Sequence, residues 1–189
     1  VAHQQGQMED AIAAYVGALE QAEQMTDLSV QLNSQIGLAN IFRETGKAAE
    51  AMRHSEKALA IAKTIGSREN ILGASVTLAT ALNWSGDYDR ARDVLLESEN
   101  LMDAQRLPYA ACAFWNQLGV THYYLGDFKK ALYYYRKCRS IAGKIGNGQW
   151  EGTATNNIAD ALGEMGMQVQ SLREFKRALT IYSRIGDEH

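Results

Sequence analysis

The clearest structural signal in this 189-residue chain is the stretch WNQLGVTHYYLGDFKKALYYY at residues 115–135. Two sets of residues fall at helical spacing, one before and one after Gly126: Trp115, Leu118, Gly119 and His122, then Phe128, Ala131, Leu132 and Tyr135. Residues three and four positions apart share one face of an α-helix. The stretch therefore predicts two helices joined by a short glycine turn.

This turn glycine recurs every 40 residues along the chain. The series is Gly6, Gly46, Gly86, Gly126 and Gly166. A fixed period of this length is typical of repeat architectures, in which each period is one supersecondary unit. The period therefore extends the two-helix prediction from one stretch to the whole chain.

A second glycine series closes the periods. Gly66, Gly146 and Gly186 each follow an isoleucine that has a basic residue just before it or one position earlier. Glycine adopts the left-handed conformation that ends helices, and a cation favours the negative end of the helix dipole. The third period lacks this glycine, and there Pro108 is predicted to supply the stop.

Each period is therefore predicted to form a helical hairpin, and no strand is expected. First helices are predicted near 28–44, 68–84, 109–125 and 150–165, and second helices near 8–25, 48–65, 88–105, 128–145 and 168–185. The chain is predicted to form a single array: a partial first repeat at 1–27, then repeats at 28–66, 67–107, 108–147 and 148–189.

The spacing Trp115-x-x-Leu118-Gly119-x-x-His122, followed by Ala131-x-x-x-Tyr135, resembles the tetratricopeptide repeat (TPR) pattern W-x-x-L-G-x-x-Y…A-x-x-x-F. The period is 40 rather than 34 residues and closes on Ile-Gly rather than Pro, as in the long-repeat arrays of bacterial regulators and peptide-binding adaptors. The resemblance implies an all-α, right-handed superhelix (an α-solenoid) of antiparallel hairpins. Its first helices would line the concave face.

Composition excludes several classes of protein. With 46% hydrophobic residues, one proline and a net charge of −3, the chain is not disordered or collagen-like. No apolar run reaches the roughly 20 residues of a membrane helix, and no signal peptide is evident. Cys112 and Cys138 lie 26 residues apart without a CxxC motif, so neither a disulfide framework nor a zinc site is indicated. A cytoplasmic location is expected.

No catalytic motif is present, so we expect no enzyme activity, no catalytic residue, no metal and no cofactor. The histidines are scattered, at His3, His54, His122 and His189. His122 is expected to pack within its hairpin, since no second ligand lies three or four residues away. Antiparallel packing would bring Cys112 near Cys138; buried inert thiols are expected, with a redox switch as the alternative.

The first helices carry almost no charge, whereas the second helices are charged. An asparagine side chain both donates to and accepts from a peptide backbone, so a row of them suits an extended bound chain. Aromatic residues near the helix ends would add anchors, with solvated surface or core packing as the alternative. The predicted peptide-binding residues on the concave face are Asn40, Arg43, Thr80, Asn83, Trp84, Asn116, Gln117, Tyr124, Asn157 and Asp160.

Charge also differs along the chain. Residues 1–107 hold 9 Lys and Arg against 15 Asp and Glu, a net of −6, and residues 108–189 hold 10 against 7, a net of +3. The basic excess is concentrated on the predicted convex face, at Lys129, Lys130, Arg136, Lys137, Arg139 and Lys144. Basic residues beside aromatic ones sometimes bind nucleic acid. The acidic overall balance favours a solvated face or a protein contact instead.

Together these features predict a scaffold module that binds a protein or peptide segment and is a fragment of a larger protein. The alternative is an effector-sensing domain of a bacterial transcription regulator or signalling protein. A repeat-based phosphatase would require an upstream helical bundle, which is absent from this sequence. The truncated first hairpin is expected to expose the apolar face of its helix and to promote self-association through the ends. This face consists of Ala11, Ile12, Tyr15, Ala18 and Leu19.

Overall fold

The computed structural model describes the backbone of residues 2–187 and the side chains of residues 7–186. All regular structure within those residues is helical, as predicted. The helices are α1 (Ala2–Met25), α2 (Leu28–Glu44), α3 (Ala48–Ile65), α4 (Arg68–Ser85), α5 (Tyr88–Ser98), a 3-10 turn (Glu99–Leu101), α6 (Pro108–Tyr124), α7 (Phe128–Lys144), α8 (Gly148–Glu164) and α9 (Gln168–Asp187).

Side-chain caps fix where several helices start. The Asp27 carboxylate accepts hydrogen bonds from the backbone N–H groups of Ser29 and Val30, and Asn147 accepts one from Trp150. These bonds satisfy N–H groups that have no partner within the helix. The observed bounds of α2 match the predicted range of 28–44.

The turn glycines behave as predicted, whereas two glycines at the ends of the chain do not. The four turn glycines have positive φ angles, 74° at Gly46, 84° at Gly86, 75° at Gly126 and 76° at Gly166. Gly6 lies inside α1 and Gly186 inside α9, so neither marks a helix boundary. His189 lies outside the described residues, and the side chain of His3 is also outside them.

The predicted second helix at 88–105 is too long. Helix α5 ends at Ser98, and its 3-10 extension ends at Leu101. The Asp103 carboxylate then accepts hydrogen bonds from the backbone N–H groups of Gln105 and Arg106, which competes with continued helix. Pro108 is the first residue of α6 rather than the stop of the preceding helix, because proline fits the first helical turn.

The chain divides into two compact units, residues 1–87 and residues 88–189. In unit 1, each of α1 to α4 packs against the next helix in the chain, and α2 also contacts α4. Its core is built from leucines and alanines, among them Leu38, Leu72 and Leu82. Consecutive helices of one unit therefore bury each other's apolar faces, as expected of stacked hairpins.

In unit 2, α5 packs against α6, and α6 to α9 form two consecutive hairpins. Tyr135 of α7 is buried against Gly119 of α6, where a Cβ at position 119 would lie 2.5 Å from the ring carbon Cδ1 of Tyr135. Tyr135, Leu132 and Ile158 belong to one apolar cluster between these hairpins. Glycine is therefore required at position 119 by lack of space.

The apolar face of α1 is less exposed than predicted. Tyr15 places its ring on Gly37 of α2 and remains 37% exposed. The other four residues of the predicted face, Ala11, Ile12, Ala18 and Leu19, are half-buried. Helix α2 therefore covers part of the surface to which self-association was assigned.

Thr26 is the non-glycine residue with positive φ in the described chain, at 56°. It precedes α2 at the position that Gly66 and Gly146 occupy 40 and 120 residues later. A β-branched residue is strained in this conformation. We therefore expect Thr26→Gly to raise the free energy of unfolding by about 1 kcal/mol, as measured by urea denaturation. If Thr26→Gly instead lowered the free energy of unfolding as much as Thr26→Ala does, the strain at this position would be contradicted.

Candidate functional site

The first helices of unit 1 form a surface that we call the Trp84 patch, made of Asn40, Arg43, Thr80 and Trp84. Trp84 is 65% exposed, and the Arg43 guanidinium lies 5.8 Å from the centroid of its ring. Arg43 also donates a hydrogen bond to Glu44 at 3.3 Å. The patch therefore joins α2 and α4 through a cation–π contact.

The polar residues of this unit differ in their availability. Asn40 is exposed, whereas the Thr80 hydroxyl donates to the carbonyl of Val76 in its own helix at 2.8 Å. Asn83 is only 7% exposed, so its side chain faces the interior rather than the patch surface. Asn40 and the Arg43–Trp84 pair are the accessible groups of the predicted set in unit 1.

In unit 2, two of the predicted asparagines lie side by side on successive first helices. Asn157 of α8 donates a hydrogen bond to the side-chain oxygen of Asn116 in α6 at 2.8 Å. Each amide has two donors and one acceptor oxygen. This pairing leaves the amide nitrogen of Asn116 as a donor group and the side-chain oxygen of Asn157 as an acceptor for other partners.

A pocket of about 160 Å³ lies beside this pair. We call it the Tyr124 pocket; its lining residues are Val120, Tyr123, Tyr124, Tyr135, Asn157 and Asp160. The α6 residues reach it because positions 116, 120, 123 and 124 share one helical face. Three predicted site residues, Tyr124, Asn157 and Asp160, therefore come together here, with Asn116 at the edge.

The pocket is acidic, and the described residues supply no basic partner to its carboxylate. The Asp160 carboxylate accepts a hydrogen bond from the Asn156 amide at 3.1 Å, and Glu164 accepts one from the Tyr123 hydroxyl at 3.3 Å. Burial, and then the charge of Glu164, raise the pKa of Asp160 above its ordinary value. Among the described residues, no Lys or Arg nitrogen lies within 4.0 Å of either carboxylate.

Aromatic rings form the wall of the pocket. Tyr124 stacks on Tyr88 of α5 with ring centroids 5.1 Å apart, and Tyr123 meets it edge to face at 5.9 Å. Tyr124 is nevertheless 54% exposed. Rings held in this way keep their position without a ligand and offer their faces to one.

Sequence reasoning included Gln117, and it considered Tyr123 as an aromatic anchor, but it did not include Val120 or Glu164. Gln117 is 8% exposed, and its side-chain nitrogen has no hydrogen-bond partner among the described residues. It does not line the pocket, whereas Val120 and Tyr123 do. Both follow Asn116 at positions i+4 and i+7, so helical spacing was the available signal for them; Glu164 follows Asp160 by four.

His122 and the two cysteines are interior groups. His122 stacks on Tyr134 with ring centroids 5.3 Å apart, and the pair Phe42 and His54 makes the same contact at 5.2 Å exactly two periods earlier in the chain. Burial lowers the pKa of His122, which keeps it neutral. Within the described residues, no group of three metal-binding side chains occurs.

The Cys112 thiol donates a hydrogen bond to the backbone oxygen of Cys138 at 3.9 Å. Both thiols are buried, and they do not form a disulfide. A hydrogen bond with Cys112, together with burial, raises the pKa of the Cys138 thiol. A protonated thiol is a poor nucleophile, which favours inert packing at this position.

Helix α7 of unit 2 carries the basic cluster that was predicted from the sequence to lie on the convex face. Lys130 pairs with Asp127 at 3.2 Å, and Arg139 pairs with Glu174 at 2.8 Å. These two cations are therefore neutralised within the unit.

None of the helices described here is both long and apolar enough to cross a membrane.

Comparison with known proteins identifies the type of repeat. A family model described as "Tetratricopeptide repeat" matches residues 1–64 and 109–184. No curated protein sequence matches the chain.

Three solved structures show a similar fold. BtubC (BKLC) from P. vanneervenii has a TM-score of 0.76 and 20% identity, covering 99% of this chain and 78% of that one. A Rap protein complexed with competence and sporulation factor has a TM-score of 0.81 and 18% identity, covering 98% of this chain and 52% of that one. The nearly identical TPR-like repeats of a Podosopora anserina putative kinesin light chain give 0.73 and 18%, with 97% and 91% covered. This chain thus spans about half the length of the Rap protein.

Proposed function

Because the chain belongs to the tetratricopeptide repeat family, whose members generally bind proteins, we propose that it binds an extended protein or peptide segment on its first-helix surfaces. The observation that carries the proposal is the Tyr124 pocket, where the Asp160 carboxylate lies among tyrosine rings and Glu164 accepts a hydrogen bond from Tyr123. Neither carboxylate has a basic partner among the described residues. We propose a binding role rather than catalysis.

Backbone recognition would come from the paired asparagines. The amide N–H groups of Asn116 would donate to a peptide carbonyl, and the side-chain oxygen of Asn157 would accept from a peptide N–H. Each such hydrogen bond contributes about 1 kcal/mol. This contact holds an extended chain with little dependence on its sequence.

Selectivity would come from the pocket beside them. A Lys or Arg side chain entering it meets the Asp160 carboxylate, with Glu164 near the rim, and lies against the Tyr124 ring. Charge-assisted hydrogen bonds and cation–π contacts are both stronger in a partly desolvated site than in open water. The proposed ligand is therefore an extended segment with one basic side chain.

A free peptide effector is the second candidate ligand. The Rap structure contains competence and sporulation factor, a bound factor on a similar helical fold. In this second proposal, the chain would be the effector-sensing part of a larger regulatory protein, and another part of that protein would supply the output. The two unpaired thiols are consistent with a cytoplasmic location, which we also propose.

The proposal is tested with pools of fluorescent hexapeptides in which one position is fixed as Arg, Lys, Gln or Glu and the others are randomised. We expect the intact chain to retain the Arg and Lys pools and to release the Glu pool. Asp160→Asn is expected to lower retention of the Arg pool at least tenfold, whereas Glu97→Gln on α5 serves as a charge-matched control. Equal retention of all four pools would contradict a cation-selective pocket.

The same variant makes a prediction about stability. Because the folded protein raises the pKa of Asp160, the ionised carboxylate disfavours folding at neutral pH. Asp160→Asn should therefore keep or increase the free energy of unfolding at pH 7 while it weakens binding. The advantage over the natural chain should begin to shrink as the pH falls through the raised pKa and should vanish once the pH is below the ordinary pKa of an aspartate, where Asp160 is protonated in both the folded and the unfolded chain. A loss of stability at pH 7 would instead give Asp160 a structural role.

A further inference from the structure

The early end of α5 coincides with a second pocket, on the second-helix side of unit 2. Helix α5 has 11 residues, compared with 18 in α3 and 17 in α7. The pocket, which we call the Trp115 pocket, has a volume of about 490 Å³. The chain after α5 and the helices α6 and α7 supply its walls, which include Glu99, Met102, Ala104, Trp115, Lys137 and Ile141.

The walls combine apolar surface with one ammonium group. The Lys137 Nζ lies 3.9 Å from the centroid of the Trp115 ring and 4.8 Å from that of Tyr133. No carboxylate of the described residues lies within 4.0 Å of it. The rings hold the ammonium at the pocket wall while its N–H donors are not used by a carboxylate.

The surrounding helix is basic throughout. Helix α7 contains six Lys and Arg residues and no Asp or Glu. Lys137, Ile141 and Lys144 follow one another at i, i+4 and i+7, so they lie on one face. This face places a lysine on each side of an apolar wall residue.

We propose that the Trp115 pocket binds an acidic segment of a partner protein, in which an apolar side chain is flanked by Asp or Glu. The apolar side chain would enter between Met102, Ala104 and Ile141. Its flanking carboxylates would pair with Lys137 and Lys144. Charge complementarity is the argument for this occupant, because the face offers cations that have no carboxylate partner in unit 2.

Glu99 argues against a nucleic acid in the same place. Its carboxylate lines the pocket and would repel the phosphate that every nucleotide of a chain carries, whereas a peptide could place its uncharged residue beside Glu99 and donate a backbone N–H to it. The apolar walls likewise suit one buried side chain better than a sugar–phosphate backbone. The ligand differs in charge from the basic segment proposed for the Tyr124 pocket, so the two proposals fail independently.

The test uses two fluorescein-labelled peptides, DDELFEDD and DDESSEDD, titrated with the intact chain and followed by fluorescence anisotropy. We expect the first peptide to bind at least tenfold more tightly. Lys137→Met, which keeps the aliphatic stem, and Ala104→Trp, which fills the pocket, should each lower that affinity tenfold or more. The control Lys129→Met lies on the same helix outside the pocket and should change it less than threefold, and Asp160→Asn should not change it.

Several results would overturn the proposal. They are equal affinity for the two peptides, an equal loss with Lys129→Met and Lys137→Met, or a dT15 oligonucleotide that binds more tightly and loses affinity with the same variants. Self-association that sedimentation detects and Lys137→Met abolishes would instead assign the pocket to a second copy of this chain. Circular dichroism confirms that each variant remains helical, and Lys137→Met still decides the question if Ala104→Trp does not fold.

Discussion

Replacing Gly119 with alanine is expected to lower the free energy of unfolding by about 1–3 kcal/mol. The added Cβ would lie 2.5 Å from two ring carbons of Tyr135, a distance that forces a neighbour to move. Tyr135 is only 2% exposed and is packed in the cluster with Leu132 and Ile158, so its ring has little room to yield. The clash should therefore separate α6 from α7.

A matched substitution at Gly73 should have the opposite sign. Gly73 lies in the middle of α4, and nothing lies within 4 Å of the place where its Cβ would be. Alanine has the higher helix propensity, so Gly73→Ala should raise the free energy of unfolding by about 0.5–1 kcal/mol. Urea denaturation measures both variants. Destabilisation of similar size at both positions would contradict close helix packing as the reason for Gly119.

Replacing Tyr124 with alanine is expected to weaken binding of the Arg-fixed peptide pool by about 2 kcal/mol, roughly 30-fold. Tyr124 supplies an aromatic wall of the pocket and is already positioned by its stack on Tyr88. A preorganised ring binds without loss of side-chain freedom, which makes it an effective anchor. The measurement is a fluorescence anisotropy titration with single peptides recovered from that pool.

Tyr133 provides the control for this effect. Both tyrosines are 54% exposed, but Tyr133 lies on α7, away from the lining of the Tyr124 pocket. Tyr133→Ala should change the affinity for basic peptides less than threefold. A larger loss at Tyr133 than at Tyr124 would place the basic-peptide site on the second helices.

The 40-residue glycine period was sufficient to predict the fold. It placed α2 and α3 at 28–44 and 48–65, as observed, because turn glycines and caps are local signals. It failed at α5, where Asp103 binds two backbone N–H groups and the helix does not continue to 105. Competition between a side chain and the helix depends on one residue and does not appear in a periodic pattern.

The candidate site was only partly accessible to sequence reasoning. Asn116 and Asn157 were predicted to lie on successive first helices, and the structure shows a hydrogen bond between them. Asn83 and Gln117 belonged to the same predicted set but are nearly buried. The rotation of each helix about its own axis determines which polar residues face outward, and the sequence does not fix that rotation. Asp160 and Glu164 have no Lys or Arg partner among the described residues, and this follows from distances between helices that the sequence does not contain.

The most direct measurement of the central claim is photo-crosslinking from the two matched tyrosine positions. The photoreactive residue p-benzoyl-phenylalanine replaces Tyr124 in one sample of the intact chain and Tyr133 in another, each is irradiated with the Arg-fixed peptide pool, and mass spectrometry maps the products. If a basic segment binds on the first-helix surface of unit 2, peptide should attach to the Tyr124 position and not to the Tyr133 position. Attachment at the Tyr133 position alone would contradict the proposed site.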